Sequence, residues 1–282
     1  MNGGKAETSM IYAELHGERV PALGLGTWQL TGETCRRSVL NALELGYTHI
    51  DTAQMYGNED AIGSALRESK SEREKLFITT KIGWDHLGYD AVMTAFEQCL
   101  NKLQRDYVNL LLIHWPSRSV PLEETLAAFN ELRSKGGARQ IGVSNFPSAI
   151  LRKATEISDA PVFCNQVEYH PYLSQDKVLK VCRENQVMLT AYSPLARGEV
   201  VGDDVLNEIG SKYGKSAAQV TLRWLLQQKL VCAVPKAADP EHLESNLNVF
   251  DFELTDDDMV LIAGLEKEMR LISPSLAPEW DK

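Results

Sequence analysis

The sequence predicts an α/β protein built as a (β/α)8 TIM barrel with an N-terminal β-hairpin at the barrel floor. Three observations carry that prediction. Eight apolar, β-branched-rich runs recur at intervals of roughly 22–43 residues, the spacing that strand–helix–strand crossovers require. The stretches between them show helical periodicity. The first strand also lacks the G-x-G-x-x-G turn that would open a doubly wound sheet. Gly24-Leu25-Gly26 continues as Thr27-Trp28-Gln29, so the third glycine is missing.

Residues 11–15 and 19–22 flank His16-Gly17-Glu18 and read as the hairpin. Strands are expected at 22–25, 48–50, 76–80, 108–113, 140–143, 162–165, 188–191 and 231–234. Residues 35–45 form a helix that stops at Gly46, residues 90–103 open on Asp90, and residues 122–134 end at Gly136-Gly137. No interdomain linker or low-complexity tract interrupts the pattern. Residues 11–282 therefore read as one barrel domain behind a loose polar tail at 1–10.

The 282 residues are 44% hydrophobic and 24% charged, which fits neither disorder, collagen nor coiled coil. With 29 Lys+Arg against 39 Asp+Glu the net charge is −10. General electrostatics thus excludes nucleic acid and anionic membrane as partners, while leaving room for a local anion pocket. No apolar run approaches the ~20 residues of a transmembrane helix, and the first ten residues lack a signal-peptide core. Cys35, Cys99, Cys164, Cys182 and Cys232 form no C-x-x-C pair and no zinc spacing with histidine. They read as small buried residues in a reducing compartment, so a cytoplasmic protein is expected. No apolar face demands a partner, and a monomer is the default.

In a barrel the reactive groups belong at the carboxyl ends of the strands. Asp51, Lys81 and His114 each directly follow an expected strand, and Tyr56 lies five residues beyond Asp51 in the same loop. Taken singly, Asp51 also suits a helix cap, Lys81 a solvated rim, His114 a satisfied core position and Tyr56 plain packing. Four such groups converging on one mouth point to chemistry instead.

A phenol with a pKa near 10 is a weak acid at neutral pH. A neighbouring ammonium is expected to lower it, and a carboxylate keeps that ammonium charged and oriented. A histidine at the same mouth can hydrogen-bond a carbonyl oxygen or relay a proton to it. The set suits protonation of a carbonyl oxygen as charge builds there. It contains no strong nucleophile and no metal site, so a cofactor must supply the carbon-bound partner of the reaction.

The stretch Gly46-Tyr47-Thr48-His49-Ile50-Asp51-Thr52-Ala53-Gln54-Met55-Tyr56-Gly57-Asn58-Glu59 resembles the first signature of the aldo-keto reductase family. Ile141-Gly142-Val143-Ser144-Asn145-Phe146 is similar to its second, and Leu112-Ile113-His114-Trp115-Pro116 to its histidine strand. The likeness covers nearly the whole chain. It implies Tyr56 as proton donor, Lys81 and Asp51 as its tuning pair, and His114 as the residue orienting the carbonyl. It also implies a nicotinamide dinucleotide, NADPH, extended across the mouth beside Gly26, Thr27 and Asp51. Ser144, Asn145 and Gln166 would hold its carboxamide, and Tyr192 would stack under the ring. Ser193, Pro194 and Leu195 would cover the pyrophosphate, and Glu244 and Asn246 would contact adenine.

The third signature departs from the family pattern. In Val234-Pro235-Lys236-Ala237-Ala238-Asp239-Pro240-Glu241-His242, Ala237 stands where the family has serine and His242 where it has arginine. Both lost groups would bind the 2′-phosphate, which leaves Lys236. Neutral histidine cannot offer the bidentate fork of arginine. NADPH with weakened discrimination against NADH is the expectation, and outright NADH preference is the alternative.

Trp28, Trp84 and Trp115, each shortly after a strand end, are expected to wall a small carbonyl substrate. No long loop is expected after Leu265, which suggests an open, shallow pocket. Residues 270–281 look like the tail of the family's bacterial diketogluconate reductases of the B type, which also reduce methylglyoxal. Two rival functions stand beside carbonyl reduction: a non-catalytic, nicotinamide-binding sensor subunit, and an aldolase using Lys81 as a Schiff base.

Overall fold

The computed structural model describes residues 10–281, and the tail expected over 1–10 falls, Met10 apart, outside them. The chain opens with the hairpin β1 (Tyr12–Leu15) and β2 (Glu18–Pro21), paired antiparallel with Leu15 opposite Glu18. His16 and Gly17 at its tip have φ of 49° and 80°. Positive φ at both central residues marks a primed turn, whose twist matches that of the strands.

Eight parallel strands follow: β3 (Leu25–Gly26), β4 (His49–Asp51), β5 (Phe77–Ile82), β6 (Val108–Ile113), β7 (Ala138–Ser144), β8 (Val162–Glu168), β9 (Met188–Tyr192) and β10 (Val231–Ala233). Each pairs with its neighbour in sequence. Parallel bridges from Leu23 to Ala233 and from Gly26 to Lys236 join the first strand to the last and close the barrel. At this seam Gly24 N–H donates to the Ala233 carbonyl at 2.9 Å, and Ala233 N–H to that of Ala22 at 2.8 Å. A Cβ on Gly26 would sit 2.4 Å from the Val234 carbonyl oxygen, and one on Gly24 would sit 2.7 Å from the His49 ring. The two glycines therefore serve close approach at the seam.

The helices are α1 (Gly32–Glu44), α2 (Glu59–Glu68), α3 (Tyr89–Leu103), α4 (Leu122–Ser134), α5 (Ser148–Ile157), α6 (Asp176–Glu184), α7 (Asp204–Tyr213), α8 (Ala217–Leu226), α9 (Pro240–Leu247) and α10 (Asp256–Ala263). Between β9 and β10 lie two helices, α7 and α8, which accounts for the longest interval between expected strands. A capping box starts α8: Ser216 accepts from Gln219 N–H, and Gln219 reaches back to the Ser216 backbone.

The hairpin covers the amino-terminal ends of the strands. His16 Nε2 lies 3.1 Å from the Gln186 carbonyl just before β9, and His49 Nδ1 lies 3.2 Å from the Pro21 carbonyl. Leu15 and Val20 are buried there. All five cysteines are buried and free. Among the described residues no helix is long and apolar enough to cross a membrane, and no cluster of three metal-ligating side chains occurs.

Candidate active site at the barrel mouth

Successive strand residues point to opposite faces, so inward positions recur every second residue. On β4 these are His49 and Asp51, and on β5 Thr79 and Lys81. His49 Nε2 approaches Thr79 Oγ1 at 3.3 Å, and one layer higher Lys81 Nζ donates to Asp51 Oδ1 at 2.6 Å. On β8 the inward series runs Cys164, Gln166, Glu168, and Gln166 Nε2 donates to Asp51 Oδ2 at 2.6 Å. The Lys81 side chain is fully buried. Its amine also donates to the Thr52 carbonyl at 2.7 Å and to the Tyr56 hydroxyl at 3.5 Å.

Tyr56 ends a short 3-10 turn, Gln54–Tyr56, that Gly57 closes with φ 62°. Two contacts clamp this loop. Gln54 Oε1 accepts from Gly83 N–H at 3.0 Å. The buried Asn58 donates to the Thr27 and Leu30 carbonyls at 2.9 and 2.8 Å and accepts from Thr52 Oγ1 at 2.7 Å. Asn58 has no role in the sequence reading. Its place beside Gly57 signals a turn there, but its two carbonyl partners come from the preceding strand's loop.

His114 follows β6 and meets the Tyr56 ring edge-on, with centroids 5.6 Å apart. Burial and the nearby Lys81 charge hold its pKa down at about 3, so the imidazole is neutral at physiological pH. Its buried Nδ1 has no hydrogen-bond partner. Burial alone disfavours the Lys81 ammonium, but Asp51 and Tyr56 outweigh that and raise it above the usual lysine value.

Tyr56 corrects an expectation. Lys81 does pull its pKa down, yet burial pushes harder, and the phenol lies above its ordinary value. Taking the phenolate out of water costs more than the neighbouring ammonium returns. The group therefore rests protonated.

A cavity of about 540 Å³ opens beside these residues. It is bordered by Asp51, Tyr56 and His114, and also by Gly26, Thr27, Trp28, Trp115, Ser144, Asn145, Gln166, Tyr192, Ser193 and Lys236. Lys81 lies beneath it. Tyr192 OH donates to Asn145 Oδ1 at 2.7 Å, Asn145 Nδ2 donates to the His114 carbonyl at 2.9 Å, and Ser144 Oγ donates to the Gln166 carbonyl at 2.8 Å. Asn145 holds φ 64°. A ring face beside hydroxyl and amide groups, with a cation farther along, fits a nicotinamide dinucleotide by donor set and shape.

Other expected contacts lie elsewhere. Trp84 is 45% exposed and does not border this cavity. Pro194, Leu195, His242, Glu244 and Asn246 also lie outside it. Asn246 is buried beside the Tyr47 phenol.

The carboxyl-terminal segment corrects the expectation of an open, shallow pocket. After α10 the chain folds back, and Leu271, Ile272, Ser273 and Pro274 border the cavity as a further wall. Arg118 Nη2 donates to the Ala277 carbonyl at 2.6 Å, and Ser148 donates to the Asp281 carboxylate from both its backbone N–H and its hydroxyl, at 2.8 and 2.6 Å. Trp280 meets Trp115 edge-on at 6.1 Å. Apolar residues set among Pro274 and Pro278 were the available signal that this segment packs without forming a helix.

Residues 22–267 match the family model described as the aldo/keto reductase family. The chain belongs to that family. It is 41% identical over 266 residues to the methylglyoxal reductase DkgB of Escherichia coli O157:H7, covering 93% of this chain and 99% of that one. It is 39% identical over 260 residues to the glyoxal reductase of Bacillus subtilis, covering 92% and 94%. Among solved structures, one provisionally named a 2,5-diketo-D-gluconic acid reductase B superposes with a TM-score of 0.96 at 44% identity, covering 98% and 99% of the two chains. A Bombyx mori aldo-keto reductase in complex with NADP superposes with a TM-score of 0.88 at 31% identity, covering 94% and 96%. An oxidoreductase of this aldo/keto reductase barrel type is thus established.

Proposed function

We propose that this protein reduces small aldehydes, ketones and dicarbonyls, methylglyoxal and diketo sugar acids among them, to alcohols with NADPH, and that Tyr56 donates the proton. One observation carries the reading. A protonated phenol at the cavity edge is hydrogen-bonded to a buried ammonium, which is itself locked to a buried carboxylate. A bound reduced nicotinamide supplies the hydride equivalent.

The chain's own residues account for the rest. Tyr56 holds its proton until charge develops on the substrate oxygen. Lys81 stabilises the phenolate left behind, and Asp51 keeps Lys81 in place. Neutral His114 offers a hydrogen bond to the carbonyl oxygen without competing as an acid. Trp28, Trp115 and the apolar side chains of residues 271, 272 and 274 exclude water and favour a small substrate.

Ser144, Asn145 and Gln166 would hold the carboxamide, with Tyr192 against the ring and Lys236 toward the 2′-phosphate. Lys236 is exposed and borders the cavity. The helix behind it opens on the Asp239 carboxylate, which already accepts from Glu241 N–H at 2.8 Å. An acidic cap there opposes a phosphate, which supports weak discrimination between NADPH and NADH. A Schiff base at Lys81 is disfavoured, because the amine is fully buried beneath the cavity with three acceptors around it.

The test is a carbonyl panel run with each cofactor, together with Tyr56→Phe. Turnover should fall at least a thousandfold in the variant while cofactor affinity holds. A variant with undiminished turnover would reject Tyr56 as donor, and unchanged NAD(P)H absorbance with every carbonyl would favour the sensor role. The kcat/KM ratio for NADPH over NADH should stay below a thousand. Restoring Ala237→Ser with His242→Arg should raise that ratio at least tenfold.

A further inference from the structure

Glu168 is fully buried at the last position of β8, two residues beyond Gln166 and on the same face. Asp51 at the same mouth meets a lysine, but the ties of the Glu168 carboxylate run to the carboxyl-terminal segment and to one histidine. Leu271 N–H donates to Oε1 at 2.6 Å and Ile272 N–H donates to Oε2 at 2.9 Å. His170 Nε2 lies 3.1 Å from Oε1. The Glu168 backbone carbonyl accepts from Gln175 Nε2 at 2.6 Å, which fixes the strand end itself.

Burying a carboxylate is costly unless its oxygens are satisfied, and charge-assisted bonds to backbone N–H groups are among the stronger ones. The two amides held are those of the first two tail residues to border the cavity. The remaining tail ties act elsewhere. The Tyr172 carbonyl accepts from Lys267 and Met269 N–H ahead of the wall, and Arg118 and Ser148 hold Ala277 and Asp281 beyond it.

We propose that Glu168 is a positioning residue for substrate recognition, whose carboxylate clasps the Leu271 and Ile272 amides and so sets residues 271–274 as a wall of the substrate pocket. The proposal rests on the carbonyl-reductase reading for its kinetic consequence, though not for its structural one. The glutamate touches neither the cavity nor the reacting atoms. Its effect is on how well a carbonyl compound is held, leaving proton delivery from Tyr56 intact.

The test uses Glu168→Gln in the full chain. The amide presents one acceptor oxygen and turns its NH2 toward a backbone N–H, so one of the two tail bonds is lost. KM for methylglyoxal should rise about tenfold, with kcat within threefold and NADPH affinity unchanged. Trypsin should cut faster after Arg270, because the scissile amide is the Leu271 N–H that the carboxylate holds. In a chain truncated after Arg270, KM should rise at least as far, and adding Glu168→Gln should change it no further.

Wild-type KM in Glu168→Gln, wild-type nicking, or an undiminished effect of the substitution in the truncated chain each overturns the proposal. Should Glu168→Gln not fold, the truncated chain decides, and a wild-type KM there overturns it equally. A wild-type protein that reduces no carbonyl would sink the functional reading, whereas the nicking rates would still judge the clasp.

Discussion

Asp51 and Glu168 are both buried carboxylates at the mouth ends of barrel strands, and they are satisfied in opposite ways. Asp51 meets a buried lysine and an amide from other strands of the barrel wall. Glu168 meets backbone N–H groups of a segment more than a hundred residues later. The first arrangement sets a charge pair beside the Tyr56 phenol, so in the proposed function its consequence is chemical. The second spends the carboxylate on holding chain in place, so its consequence is shape. On the proposals made above, carboxylates with similar burial at one end of one barrel serve rate in one case and fit in the other.

The largest expected effect breaks the first arrangement. Asp51→Asn leaves the Lys81 ammonium buried without its counter-charge, which costs about 3–5 kcal/mol of stability. Because Lys81 also faces Tyr56, kcat should fall roughly a hundredfold, the scale of impaired general acid catalysis. Urea melts and steady-state kinetics measure both. An Asp51→Asn enzyme changed only in KM would erase the distinction between the two carboxylates.

A middle-sized effect comes from His114, which faces the same cavity with no partner on Nδ1. Its imidazole takes a proton near 6.5 when unfolded but only at about 3 when folded. The folded state therefore gains nothing from this group's titration above pH 6.5 and loses stability as pH falls from 6.5 toward 3. Ring nitrogen NMR shifts of His114 should stay flat from pH 5 to 8, and a midpoint inside that window would refute the assignment of a neutral imidazole. The smallest effect is expected for Arg118→Ala. It frees the Ala277 carbonyl beyond the wall, so KM should move less than threefold, well short of the Glu168→Gln change. Equal effects would mean that the whole tail, and not its clasp at residues 271 and 272, sets the pocket.

Much of the barrel was readable because it is written in short-range patterns. Strand runs, glycine stops and the His16-Gly17 turn are local, and all eight strands lie within a few residues of their expected positions. Asp51, Lys81 and His114 were readable for the same reason, since each lies at or just past the carboxyl end of a strand and the barrel brings strand ends together. Asn58 and Glu168 were not, because their partners are backbone atoms of distant loops, and a backbone N–H or carbonyl leaves no letter in the sequence. Trp84 shows the limit of such reading: a bulky residue after a strand end points to a pocket, but how far its side chain is covered depends on distant packing, and here it is 45% exposed.

Residue order and type were enough for the barrel and for bringing Asp51, Tyr56, Lys81 and His114 to its mouth, since alternation, periodicity and residue chemistry all act over a few positions. Two matters were decided only by long-range packing. One is the resting state of Tyr56, where burial outweighs the pull of Lys81 and keeps the phenol protonated. The other is the enclosure of the pocket by residues 271–274, which depends on where a segment without helix or strand comes to rest. Both follow from desolvation and three-dimensional contact, and neither quantity exists until the chain has closed on itself.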